Sequence, residues 1–305
     1  MNPFLVLLIV VLAALLVAAA VAGWLIWRCP ITFYKMMARR ALKRSGLKQV
    51  FVASPVGPQS VFVGGSGPVL MLLHGAGDHA GTWSRVVPAL IRDHSLVIPD
   101  LAGHGDSQPA TGLIEASAIV AGLEAVLVSQ SRNQPVTLVG NSLGGWMAMV
   151  LAGRNADRLE RVVAVNGGAL AIPPGPVNLQ PRDREEARQT MMRLRDPGFP
   201  RIPDNVLDEL VRTSKSGPLA RFAATAERFQ PWVMDEAQLG TLAVPVFLLW
   251  GVADQLLTLA YARQMLAALP DARLITIEHC GHIPQQEAPG RFLEALGKVL
   301  HNQAE

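Results

Sequence analysis

Pro135-Val136-Thr137-Leu138-Val139-Gly140-Asn141-Ser142-Leu143-Gly144-Gly145-Trp146-Met147-Ala148-Met149-Val150 is the stretch whose reading decides the fold. Its first five residues form a short β-branched, nearly apolar run, its last five read as helix, and Gly-x-Ser-x-Gly lies between them. That context gives the pattern meaning. A serine between a strand and a helix must sit on a tight, strained turn, and Gly140 and Gly144 let the two elements approach without Cβ clashes. The turn exposes the hydroxyl, and the helix N-terminus supplies backbone N–H groups beside it. Ser142 is therefore read as a nucleophile. Without the flanking elements, the same residues would be only a glycine-rich turn.

Working outward, further short apolar runs occupy residues 68–73, 95–99, 161–165, 245–250 and 273–277, and 49–54 with 60–64 read as a hairpin around Pro55 and Gly57. Runs apolar throughout are expected for strands buried on both faces of a parallel sheet. Helical patterns at 116–129, 145–153, 258–269 and 291–300 alternate with them, which predicts a doubly wound α/β domain with an antiparallel hairpin at one edge. Between Gly167-Gly168 and Val244 the alternation stops for about 75 residues. Charged helical patterns at 182–195 and 205–215, broken by Pro197, Pro200 and Pro203, fill this interval. A structureless loop of that length does not suit a compact domain, so residues 169–243 are read as a helical cap. The α/β core is then 49–168 and 244–305.

A nucleophilic serine needs a base, and the base an orienting acid, each on a loop at the carboxyl end of a strand. Asp254 follows the run 245–250, and His282, in Gly281-His282, follows 273–277. His279 is the nearest rival base, but it lies closer to the strand end; Asp235 precedes its strand and suits the acid role poorly. The oxyanion hole requires two N–H donors aimed at the developing alkoxide. Leu143 should give one, and the loop His74-Gly75-Ala76-Gly77 the other, from Ala76 first and Gly77 next. His74 is read as a structural histidine of that loop.

Together these motifs, with Asp100-Leu101-Ala102-Gly103-His104-Gly105-Asp106-Ser107, resemble those of the α/β-hydrolase family over residues 50–300. The resemblance implies that fold, a Ser142-Asp254-His282 triad, and structural roles for Gly75, Asp100 and His104. It implies no cofactor and no metal. The two cysteines, Cys29 and Cys280, also exclude a disulfide scaffold and a cysteine-based zinc site.

The N-terminus has another character. Residues 4–27 carry no charge and no strongly polar side chain, and a helix of that length reaches roughly 36 Å, enough to cross a hydrocarbon core of about 30 Å. This is read as a transmembrane anchor, residues 1–28. The competing reading, a cleaved secretory signal, wants a basic residue before a shorter apolar run. Seven basic residues follow: Arg28, Lys35, Arg39, Arg40, Lys43, Arg44 and Lys48. On a helical wheel Tyr34, Met37, Ala38, Ala41 and Leu42 share one arc and most of the cations fill the other, so residues 29–48 are expected to form a basic amphipathic helix touching anionic lipid. Cys29 stands at the membrane edge and is read as an ordinary thiol, with acylation as the alternative. The positive-inside rule puts the rest of the chain on the cytoplasmic side. The Ala-rich stretch 13–22 could pair with a second copy to give a homodimer.

The layout resembles membrane-anchored monoacylglycerol lipases and bacterial phospholipases A of this fold, which implies hydrolysis of an acyl-lipid ester. A thioesterase, a general carboxylesterase, a carbon–carbon bond hydrolase and a non-catalytic tethered binding protein are the alternatives. Removing the seven basic residues from 27 Lys+Arg leaves 20 against 24 Asp+Glu, so the +3 of the whole chain is a basic collar on a mildly acidic domain. Nothing in that balance favours nucleic acid as a partner.

Overall fold

A computed structural model describes residues 2–131, 134–171 and 177–301; residues 172–176 of the expected cap and the terminal 302–305 lie outside them. The chain opens with α1 (Pro3–Arg28), whose N-cap Asn2 accepts the N–H of Phe4 at 3.0 Å. No residue of α1 is buried, and the helix is long and apolar enough to cross a membrane. At Cys29 the backbone leaves the helical region, as a residue before proline favours, and Pro30 starts α2 (Pro30–Arg44) at the one helical position where a missing N–H does no harm.

The strands β1 (Lys48–Val52), β2 (Gln59–Gly64), β3 (Val69–Leu73), β4 (Ser95–Pro99), β5 (Val136–Asn141), β6 (Leu159–Val165), β7 (Val246–Gly251) and β8 (Ala272–Ile277) form one eight-stranded sheet of order β1-β2-β4-β3-β5-β6-β7-β8. β2 runs antiparallel to both its neighbours, and all other pairings are parallel. This is the doubly wound α/β sheet with an antiparallel hairpin at one edge that the alternation predicts, and it matches the fold that the motif resemblance implies. Central β3 and β5 are buried along their whole length, which accounts for their apolar composition.

The connections are α3 (Val87–Leu90), α4 (Ala116–Gln130), α5 (Leu143–Arg154), then α6 (Arg184–Leu194), α7 (Asp204–Ser214), α8 (Pro218–Ala223) and α9 (Glu236–Leu239) between β6 and β7, and finally α10 (Leu259–Ala268), α11 (Pro284–Glu287) and α12 (Pro289–Leu300). Between β6 and β7 the described residues contain no strand. Asp183 caps α6 by accepting the N–H of Glu186 at 2.9 Å, and the broken prolines of the sequence lie in the α6–α7 linker. Apolar side chains cover both faces of the sheet: Leu123, Met147, Leu151 and Met265 on one, Leu42, Trp83, Phe292 and Leu296 on the other.

Leu42 requires a correction to the sequence reading. It is fully buried, worth roughly 2 kcal/mol of transfer free energy, and Ala38 beside it lies against Gly81, where a Cβ would come within 2.9 Å of the Ala38 Cβ. The helix 30–44 is thus part of the α/β core. Lys35 and Arg39, expected against lipid, share the stripe of Ala38 and Leu42, because residues three, four and seven apart lie on one helix face. Lys35 Nζ donates to the Gly77 carbonyl at 3.3 Å, and Arg39 donates to Asp100 and Asp106. Arg28, Arg40, Lys43 and Arg44 remain exposed.

Candidate active site

β5 runs directly into Ser142, whose φ of 55° and ψ of −118° are strained for a residue with a side chain, and α5 begins at the next residue. A Cβ on Gly140 would come within 2.2 Å of the Gly144 carbonyl, and one on Gly144 within 2.4 Å of the Leu73 carbonyl. Only glycine permits strand, turn and helix to close this tightly. The Ser142 N–H donates to the Val165 carbonyl at 3.0 Å, which fixes the turn against β6. Ser142 is half-buried and lines the floor of a cavity of about 650 Å³ together with His282.

His282 stands on the loop after β8, with Nδ1 2.6 Å from Asp254 Oδ2. Asp254, on the loop after β7, is held from three further directions. Its Oδ1 accepts the N–H groups of Leu256 and Leu257 at 2.8 and 3.1 Å, and its Oδ2 accepts Asn166 Nδ2 at 2.8 Å. A carboxylate so saturated cannot swing away from the imidazole. Asn166 was missed in the sequence. It follows β6 with a φ of 43°, a left-handed conformation that asparagine tolerates, and its Oδ1 accepts the Gly251 N–H at 3.0 Å. The available signal was an asparagine before Gly167-Gly168 at a strand's carboxyl end, but no local spacing links it to Asp254.

Asn141 fixes the site from below. Its Nδ2 donates to the carbonyls of Val165 and His282, at 3.0 and 2.9 Å, and its Oδ1 accepts Gln285 Nε2 at 3.1 Å. The nucleophile strand and the histidine loop are thereby tied through one buried side chain. The rivals lie elsewhere: His279 is exposed at a φ of 51°, and Asp235 is the N-cap of α9.

The loop after β3 brings Gly75 to within 3.2 Å of the Ser142 Cβ, measured from the position its own Cβ would take. Among the described residues, the N–H groups of Ala76 and Leu143 have no protein acceptor. Gly77 follows with a φ of 77°. His74 receives the Leu101 N–H on Nε2 at 2.9 Å, so its proton sits on Nδ1, which donates to the Gly75 carbonyl at 2.8 Å. Burial pushes its pKa down and keeps it neutral in this bracing role. Its ring lies 5.3 Å from that of His104, a buried histidine pushed down to about 3 by burial and by His74. Burial alone would push the Asp100 carboxyl up; Arg39 and the N–H groups of Ala80 and Asp106 outweigh it and hold the carboxyl below its ordinary range. Asp100 and His104 thus brace the loop from behind and do not line the cavity.

The family model for alpha/beta hydrolases matches residues 70–295. The chain belongs to the α/β-hydrolase family. Among relatives of this hydrolase, an uncharacterized protein of Mycobacterium tuberculosis is 29% identical over 270 residues, 78% of this chain and 76% of its own. The 2-hydroxy-6-oxo-6-phenylhexa-2,4-dienoate hydrolase of Burkholderia cepacia is 25% identical over 250 residues, 75% and 86% of the two chains. Among solved structures, a bacterial membrane phospholipase A aligns with a TM-score of 0.75 at 22% identity, covering 95% of this hydrolase and 97% of that chain, a likeness of fold.

The cavity of this hydrolase runs from Ser142 between the cap and α2, past Leu207 and Leu210 of α7 and Ile31 and Tyr34 of α2, to Pro30 at the foot of α1. Three side chains of α7 clasp that foot. Asn205 Nδ2 donates to the Trp27 carbonyl at 3.0 Å, Arg212 to the Arg28 carbonyl, and Glu209 accepts the N–H groups of Ile31 and Thr32 at 2.5 and 3.1 Å. Positions 205, 209 and 212 share one helix face. They satisfy the orphan carbonyls ending α1 and the orphan N–H groups opening α2.

Proposed function

We propose that this hydrolase is a membrane-anchored serine esterase that cleaves acyl lipids: monoacylglycerols, lysophospholipids or phospholipids. The observation that carries this reading is the course of the cavity, which reaches from Ser142 to the foot of an exposed apolar helix of spanning length. An acyl chain leaving the bilayer beside α1 would meet an apolar wall of Ile31, Val206, Leu207 and Leu210 before its ester reached the serine. The exposed basic residues Arg28, Arg40, Lys43, Arg44 and Lys48 suit an anionic lipid surface on the cytoplasmic side.

In this mechanism His282 Nε2 takes the Ser142 proton as the hydroxyl oxygen attacks the ester carbonyl. Asp254, 2.6 Å from Nδ1, holds the ring in the tautomer with Nε2 free and stabilises the imidazolium. The N–H groups of Leu143 and Ala76, or Gly77 in its place, receive the oxyanion. The imidazolium returns its proton to the departing alcohol, and water, deprotonated by the same histidine, cleaves the acyl-enzyme and regenerates Ser142.

A second reading has specific support: the Burkholderia cepacia relative is a 2-hydroxy-6-oxo-6-phenylhexa-2,4-dienoate hydrolase, and a substrate of that structure carries a ketone and no ester, so its hydrolysis breaks a carbon–carbon bond. Turnover of glycerol esters, short aryl esters and a vinylogous diketone by the purified full chain separates the two. The ester reading predicts that long-chain glycerol esters are the best substrates, and dominant turnover of the diketone would overturn it.

A further inference from the structure

Beside the oxyanion loop, the otherwise apolar cavity carries three cations: Lys35 from α2, Arg85 from the segment before α3, and Arg195 at the end of α6. Among the described residues none of them forms an ion pair. Lys35 Nζ rests on the Gly77 carbonyl, Arg85 donates to the Gln286 carbonyl, and the Arg195 guanidinium lies over the Phe199 ring at 4.2 Å with its Nε buried and without a partner. Two carboxylates are near. Asp78, in the same wall, is occupied by the His79 N–H at 2.9 Å and Gln286 Nε2 at 3.3 Å. Glu287 accepts the N–H groups of Asp196 and Gly281, and burial pushes its carboxyl toward the neutral form. The wall is therefore net positive, and Tyr34 adds a hydroxyl to it.

A partly desolvated guanidinium whose nearest carboxylate, Glu287, stands beyond ion-pair distance is costly unless a ligand supplies a closer charge. Arginine pairs with phosphate through parallel charge-assisted hydrogen bonds, which a neutral glycerol hydroxyl cannot match. The position also fits. Lys35 holds the carbonyl of Gly77, the residue next to Ala76, and Arg195 follows Leu194, whose carbonyl accepts the His282 N–H at 2.7 Å, so the cations share one cavity with the triad.

We propose that Lys35, Arg85 and Arg195 form a subsite for the phosphodiester of a glycerophospholipid, with Arg85 and Arg195 setting the preference for phosphate-bearing over neutral acyl lipids. This rests on the esterase reading above and narrows its substrate class. In it, the acyl chain lies along α7, the ester meets Ser142 and the phosphate meets the guanidinium groups.

The test uses the full chain in dodecyl maltoside micelles, with lysophosphatidylglycerol or the monoacylglycerol of the same acyl chain as substrate. Salt is kept near 0.15 M, so that general attraction to the micelle surface is screened beyond about 8 Å. The readout is the ratio of kcat/KM for the two lipids. Arg195→Leu should lower that ratio about tenfold or more, equivalent to about 1.4 kcal/mol, chiefly through KM, and Arg195→Lys should recover part of it. Arg85→Gln, on the exposed rim, should lower it in the same sense and decides the matter if Arg195→Leu does not fold. Ratios within about twofold of the wild-type value would overturn the subsite and leave ester hydrolysis standing. Hydrolysis of neither lipid by the wild-type chain would overturn the esterase reading itself.

Discussion

Arg39 Nη1 stands 2.9 Å from Oδ2 of Asp100, whose side chain has no exposed surface. The pair joins α2, which follows the long apolar α1, to the loop that follows β4, and Asp100 in turn accepts the N–H groups of Ala80 and Asp106. α2 is thereby an integral wall of the α/β domain.

Removing Arg39 leaves a buried carboxylate without its counter-ion. Breaking such a pair costs about 3–5 kcal/mol, so Arg39→Ala should lower the unfolding temperature in detergent by roughly 10 °C. Arg40→Ala, one residue on and exposed, should stay within about 0.5 kcal/mol of wild type. Equal thermal shifts for the two variants would mean that the Asp100 contact carries no stability.

Asn166 acts through Asp254 and positions it. Asn166→Ala removes one hydrogen bond to a buried carboxylate, worth about 1.5–3 kcal/mol, and should lower kcat ten- to a hundredfold with KM little changed. Steady-state kinetics on a soluble ester, with fluorophosphonate labelling of Ser142 as a check on folding, measures this split. A rise in KM alone would place Asn166 in substrate binding instead.

Glu209 couples α7 to the junction of α1 and α2. Glu209→Ala should free the first amides of α2, raising hydrogen exchange at Ile31 and Thr32, and cost about 1–2 kcal/mol as a lost helix cap. Exchange at those amides equal to wild type would show the clasp to be incidental.

Acid should weaken the fold early. Burial pushes the His104 pKa down to about 3 and that of His79 to about 4, whereas the same rings in the unfolded chain take up a proton near pH 6.5. The unfolded state thus binds more protons across this window, and stability falls as pH drops from about 6.5 toward 3. Asp100, held low, adds stability that is present above its unfolded pKa of about 3.9 and lost below it. Unfolding temperatures measured from pH 7 to 4 should decline steadily, and His104→Gln should flatten the decline.

The elements around Ser142 were legible because their chemistry is local. A glycine two residues either side of a serine, between an apolar run and a helical one, leaves few backbone paths open. Asp254 and His282 followed from the position of each after its own strand. The face of α2 was not legible in the same way. Its wheel separates cations from apolar residues, but Lys35 and Arg39 flank Leu42 on the buried side, and their acceptors, Gly77 and Asp100, come from distant loops. Asn166 and Glu209 escaped for the same reason: each acts across more than 80 residues of sequence, where no spacing rule connects partners.

The central claim is that Ser142 opens acyl-lipid esters at a membrane. The most direct measurement incubates the wild-type chain and Ser142→Ala, each reconstituted in vesicles, with a mixed bacterial lipid extract and identifies released fatty acids and lyso-lipids by mass spectrometry. The account predicts that the wild-type chain releases free fatty acid together with the matching deacylated lipid, and that Ser142→Ala releases neither. Equal release by both chains, or none by a wild-type chain that a fluorophosphonate still labels at Ser142, would contradict it.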